Sequence, residues 1–146
     1  MGLKALKIED DSQLNLAPEC ADAVVMWEVI EHIWDVHQYL GALTKGLSPG
    51  GVLLLNTPNY LRRAYRDNLE REPSPAMSPP VHLNFFTAES LVKTLIGCSL
   101  EVTAVIKRRL YAPFPLTLGN IRRSIRLATG AEEPPTLYAI ARKPLS

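Results

Sequence analysis

The sequence predicts an α/β fold organised around a parallel crossover, and three observations carry that reading. Ala23-Val24-Val25-Met26-Trp27 is a short apolar run with the residue types of a buried strand. Residues 52–56, Val-Leu-Leu-Leu-Asn, form a second such run. Between them Val36, Tyr39, Leu40, Leu43 and Leu47 recur at helical spacing. Strand, helix and strand in that order imply two parallel strands joined by a helical crossover.

The flanking elements come in order. Residues 3–8 read as a short strand, followed by the acidic cluster Glu9, Asp10 and Asp11 and a loop over 14–20. Asp35 is placed to cap the helix after the first apolar run, with Gln38 three residues on. Ser48-Pro49-Gly50-Gly51 reads as a stop and turn before the second run. A charged stretch over 60–72 reads as a helix, and residues 73–80, rich in proline, as a lid or substrate loop. Thr87 caps another helix, with Glu89 in its first turn and Leu91, Val92 and Leu95 on its apolar face. Residues 100–106 and 136–142 read as strands, and 116–127 as an amphipathic helix carrying Arg122, Arg123 and Arg126.

Composition narrows the function classes. A chain of 146 residues, 47% hydrophobic and 21% charged, is one globular domain's worth of material. A net charge of +1 supplies no overall field for nucleic acid or membrane. Two cysteines are too few for a disulfide framework, so a reducing, cytoplasmic setting is the default. No apolar run reaches the roughly 18 residues of a membrane span. Lys4 and Lys7 interrupt the start, and no signal-peptide core follows them. The twelve prolines cluster in loops, and there is no internal repeat.

The chemistry concentrates just after the first apolar run. If the chain turns helical after Trp27, Glu28, Glu31 and His32 share one face at positions i, i+3 and i+4. Two carboxylates and an imidazole would then converge beyond the carboxyl end of a strand, where open α/β sheets bind ligands. Trp27 and Trp34 flank this motif and could wall a pocket, although aromatic residues are more often core. His37 reads as a surface residue. Thr57-Pro58-Asn59 follows the second strand, either as acceptor contacts or as a plain turn. Three basic groups (Arg62, Arg63 and Arg66; residues 107–109; residues 122–126) read better as solvated faces than as a nucleic-acid grip.

In order along the chain stand Asp10, Asp22, Glu28-Val-x-Glu31-His32, Pro49-Gly-Gly, Thr57-Pro-Asn and His82-x-x-Phe85-Phe86-Thr87. This ordered set resembles the class I S-adenosylmethionine-dependent methyltransferases. Among them it is similar to the ubiquinone-pathway O-methyltransferases. The resemblance implies a partial Rossmann-like methyltransferase sheet, mostly parallel, with an antiparallel C-terminal edge strand. Residues 1–146 would form a single partial domain, with insertions at 60–84, as a lid, and at 108–135.

The resemblance also assigns roles. S-adenosylmethionine would be the cofactor, contacted by Asp10, Asp11, Trp27 and Glu28. Glu31 and His32 would act in catalysis. Some members hold a divalent metal on the Glu-x-x-Glu-His motif, and some add a later His. That implies Glu28, Glu31, His32 and His82 as ligands for Mn²⁺ or Mg²⁺, and a mixed carboxylate–imidazole set suits Mn²⁺, Fe²⁺ or Zn²⁺ better than Mg²⁺. The alternative for Glu28, Glu31 and His32 is a metal-free pocket in which the carboxylates cap the turn and His32 is packed.

The implied reaction is methyl transfer to a hydroxyl oxygen of a small molecule or sugar. A non-catalytic interaction module on the same sheet is the competing reading. One family feature has no counterpart: the sequence contains no Gly-x-Gly, and its first element matches the family's third strand. Either the chain is a fragment or truncated product, or it works without a complete cofactor site. The strand over 23–27 would then be left with an open edge. That edge could be filled by residues 3–8, by a second copy, or by another chain carrying the missing part.

Overall fold

The computed structural model describes residues 14, 16–62, 79–107, 130 and 133–145. These hold four strands, β1 (Ala21–Trp27), β2 (Leu47–Pro58), β3 (Glu101–Ile106) and β4 (Thr136–Arg142). Two helices, α1 (Val36–Gly46) and α2 (Ala88–Gly97), and a 3₁₀ turn at Ile30–His32 complete the elements. The strand expected over 3–8, most of the 60–72 helix, residues 73–78, and the 116–127 helix lie outside the described residues. So do Asp10 and Asp11.

The sheet order is β1-β2-β4-β3. β1 and β2 are parallel, as the crossover requires, and β4 runs antiparallel to both β2 and β3. Three of the described strands therefore share one direction and β4 opposes them, a mixed sheet of the α/β class expected. The C-terminal strand is antiparallel as expected, but it lies between β2 and β3, and β3 takes the margin. A strand in that slot exchanges hydrogen bonds on both sides, and Leu137, Tyr138, Ala139 and Ala141 of β4 are buried.

Both helices form where their caps predict. The Asp35 carboxylate accepts from Gln38 N at 2.9 Å and starts α1. Thr87 and Ser90 cap α2 reciprocally, each side chain accepting the other's backbone N–H. Leu40 and Leu43 of α1 and Leu91 and Leu95 of α2 are buried, and they pack in one core with Met26, Leu53, Leu55, Leu137, Ala139 and Ala141. Those strand residues alternate along their strands, so both helices cover the same face of the sheet.

Two expectations need correction here. The apolar run of β1 is buried on one face only: Val25 is 63% and Trp27 51% exposed, and Leu54 beside Val25 in register is also exposed. Helix burial of one side leaves the alternate residues uncovered. Trp34 is exposed as well, so neither tryptophan is core.

The Ser48–Gly51 turn, for its part, does not end the first element ahead of β2. It is a bulge inside that strand, four residues standing opposite the single Asp22 of β1. Gly50 takes φ +76, which only glycine adopts cheaply, and the bulge is tied down by Gly50 N to Lys143 O and Lys143 N to Gly51 O.

Candidate active site

Parallel pairing brings the carboxyl ends of β1 and β2 side by side, with Trp27 in register with Asn56. The chain after Trp27 does not form a regular helix. Glu28 adopts a left-handed φ of 52, and a single 3₁₀ turn then carries Ile30, Glu31 and His32. Asn56 holds the strained position from both sides. Its Oδ1 accepts from Glu28 N at 2.8 Å, and its Nδ2 donates to Glu28 Oε1 at 2.6 Å. The i, i+3, i+4 face expected for Glu28, Glu31 and His32 is therefore replaced by a tighter turn, in which Glu28 is bonded to Asn56 and still reaches Glu31.

Glu31 is fully buried. Its Oε2 accepts from the Thr57 hydroxyl at 3.0 Å, while Oε1 has no hydrogen-bond donor. Oε1 lies 3.9 Å from His32 Nε2. The other nitrogen of that ring, Nδ1, is 2.6 Å from Val81 O. A carbonyl only accepts, so Nδ1 carries a proton, and in that tautomer the lone pair is at Nε2.

His82 completes the cluster. Its ring stands edge-on to His32 with centroids 4.8 Å apart. One ligand atom each from Glu31, His32 and His82 falls within 4.8 Å of the others. The segment bearing His82 is stapled to the 3₁₀ turn. Leu83 N and Asn84 N both donate to Glu31 O, and Asn84 Nδ2 donates to Ile33 O at 2.6 Å and to Ile30 O at 3.4 Å. Beyond it, Phe86 bridges to Asn59 at the end of β2.

The expected four-residue metal set is thus three residues in space. Glu28 lies outside the close group, and its Oε1 accepts from Asn56. It remains near Glu31, and this sets its acidity. Burial first, then the charge of Glu31 and a hydrogen bond to it, push the Glu28 carboxyl up to about 7, against the opposing pull of His32. Burial, and after it the neighbouring His32, hold His82 below the usual histidine range, with Glu31 working the other way.

Fit to a metal rests on the orphaned Oε1. A buried carboxylate oxygen with no donor is costly unless a cation meets it. One carboxylate oxygen and two imidazole nitrogens suit a borderline ion such as Mn²⁺, Fe²⁺ or Zn²⁺.

Fit to S-adenosylmethionine is confined to one wall among the described residues. Trp27 gives a half-exposed ring at the end of β1, tilted against Tyr138 at 5.7 Å.

Three polar residues matter more than the motif shows: Asn56, Thr57 and Asn84. Asn56 ends an apolar strand run, and a buried polar residue there is the one sequence signal that marks it. Thr57 turns inward to Glu31 and is buried; Asn59 is buried too, bonded to Glu133 and Pro134 O. His37 is exposed as expected, with its Nδ1 3.6 Å from Cys98 Sγ. Of the basic groups, Lys107 pairs with Glu133 at 3.5 Å.

The profile of a methyltransferase-domain family matches residues 7–105. The chain belongs to the class I S-adenosylmethionine-dependent methyltransferases. Over 50 residues it is 44% identical to a probable S-adenosylmethionine-dependent methyltransferase of Mycolicibacterium smegmatis, a match spanning 34% of this chain and 20% of that protein. Over 55 residues it is 36% identical to the rat mitochondrial ubiquinone biosynthesis O-methyltransferase, spanning 38% of this chain and 16% of that one.

Two solved methyltransferases share this chain's fold. The Mesorhizobium loti enzyme has a TM-score of 0.61 at 18% identity, covering 92% of this chain and 67% of its own. The Methanosarcina mazei protein has a TM-score of 0.63 at 19% identity, covering 96% and 67%. No described helix of this chain is long and apolar enough to cross a membrane.

Proposed function

We propose that this chain carries the acceptor side of a methyltransferase that methylates a hydroxyl oxygen on a small molecule or sugar. Glu31, His32 and His82 would hold a divalent metal beside the acceptor. The observation that supports this reading best is the buried, donorless Glu31 Oε1 facing His32 Nε2, with a ligand atom of His82 in the same close group. S-adenosylmethionine supplies the methyl group when bound, and a metal on this triad would bind two acceptor oxygens and lower the pKa of the attacking hydroxyl. The chain's own part is positioning: the acceptor oxygen must lie in line with the methyl, about 3 Å away.

The residues divide that work. Glu31 brings a carboxyl group that solvent does not reach. His32 brings Nε2, with the proton locked at Nδ1 by Val81. Its side chain is 36% exposed, so the acceptor would approach on the histidine side. Asp10, Asp11, Trp27 and Glu28 are the proposed cofactor contacts, Trp27 offering an aromatic surface. Glu28 is proposed in the metal set only as a more distant partner, through Glu31. The free thiols of Cys20 and Cys98 suit a reducing, cytoplasmic setting.

A second reading keeps the same residues without a metal. The His32 tautomer makes Nε2 a general base for the acceptor hydroxyl, with Glu31 stabilising the imidazolium that results.

Thermal unfolding with Mn²⁺ separates the two. Millimolar Mn²⁺ should raise the melting temperature by a few degrees, about 3 kcal/mol at a hundredfold excess over Kd. Glu31→Ala should abolish the rise. A catechol, with its vicinal oxygens, should add a further rise in the wild type only. A melting temperature indifferent to Mn²⁺ would remove the metal and leave the general-base reading.

A further inference from the structure

We infer that Thr57 is a positioning residue for Glu31: its hydroxyl holds Oε2, so that Oε1 is the oxygen presented to His32 in the cluster with His82. This rests on the metal reading of the site and deepens it.

The geometry is specific. Thr57 and Glu31 are both fully buried, so no solvent competes for either group. The hydroxyl has one proton, and it is donated to Oε2 at 3.0 Å. With Oε2 engaged, the carboxyl group cannot rotate about its terminal bond without breaking a buried hydrogen bond. Oε1 is then left bare on the side of His32 Nε2, 3.9 Å away. His32 is treated the same way: Val81 O holds its Nδ1, and Nε2 is left for the site. Each of these two groups therefore has one atom tied to the scaffold and one atom free, which is how outer partners orient metal ligands. Thr57 achieves this from β2, whereas Glu31 belongs to the turn after β1, so the contact also locks the two strand ends together.

The alternative for Thr57 is simple packing at the end of a strand, where the methyl would matter and the hydroxyl would not. Isosteric replacement separates them. Mn²⁺ affinity of the full chain should be measured by calorimetry and by the electron paramagnetic resonance signal of free Mn²⁺, neither of which needs turnover. Thr57→Val keeps the shape and removes the donor, and should weaken Mn²⁺ binding about 10- to 100-fold. Thr57→Ser keeps the donor and removes the methyl, and should stay within about threefold of wild type, well inside that loss.

Equal affinity in wild type and Thr57→Val would overturn the inference while leaving the metal site standing. A loss in Thr57→Ser as large as that expected for Thr57→Val would assign the role to the methyl and overturn it too. That arm decides the matter if Thr57→Val does not fold. No Mn²⁺ binding by the wild type would take down the metal reading and this inference with it.

Discussion

Glu28 is where a single residue shows the physics most plainly. Its folded carboxyl titrates near 7 against an ordinary 4.5, raised first by burial and then by Glu31. Between those two pH values the folded chain holds a proton that the unfolded chain has released. Stability therefore falls as pH rises from 4.5 to about 7 and levels off above, while below 4.5 the contribution is fully present. Glu28 is exposed as a whole residue, so solvent screens much of this, and about 1 kcal/mol is a fair size for the effect. Glu28→Gln mimics the protonated state and should remove the fall. In chelator-containing buffer, urea titrations should show the variant gaining on the wild type from pH 4.5 to about 7. Parallel stability curves for the two proteins would contradict this assignment. The left-handed φ of 52 at the same residue is sustained by the two Asn56 hydrogen bonds, which outweigh a backbone cost of about 1–3 kcal/mol.

At the scale of elements, the site depends on how two short irregular segments meet. The 3₁₀ turn Ile30–His32 and the segment over 81–84 have little regular structure between them. Backbone and side-chain bonds from Leu83 and Asn84 supply what a helix or strand would otherwise supply. Asn84→Ala would strip the donor from Ile33 O and Ile30 O and should cost about 2 kcal/mol in chemical denaturation. Because His82 sits on the same segment, the Mn²⁺ response should weaken as well. A variant of wild-type stability that also keeps the full Mn²⁺ response would show that the staple is dispensable. The caps of α1 and α2 behave differently. They depend on neighbours three residues apart in sequence, Asp35 with Gln38 and Thr87 with Ser90, and so form from local chemistry alone.

For the whole molecule, the sheet has one face under two helices and one face with Val25, Trp27 and Leu54 exposed. The cofactor's polar groups need backbone donors and a ribose-binding acid, and the sequence contains no Gly-x-Gly loop to bring amides close. The 146-residue chain alone should therefore bind S-adenosylmethionine weakly, with its polar parts lacking partners. Calorimetry on that chain tests this directly, and a micromolar dissociation constant would refute it. The proposed pairing of residues 3–8 with β1 falls outside the described residues. Among the described residues β1 pairs only with β2.

The α/β class, the parallel crossover, both helix caps and the strand at Thr136–Arg142 were legible in residue order, because each rests on periodicity or on contacts within a few positions. The ordered motifs were enough to place the chain in its family, and they singled out Glu28, Glu31, His32 and His82, of which the last three form the close group. The rest depended on contacts between residues far apart in the chain. The sequence spaced Glu28 as a helical partner of Glu31, but Asn56, 28 positions away, pulls it into a left-handed turn. The sequence left Thr57 as a turn or an acceptor contact, and parallel register turned it onto Glu31, 26 positions back. Periodicity carries no information about which carboxylate oxygen finds a donor. Only the tertiary structure decides that, because a buried hydrogen bond is set by where two strand ends meet.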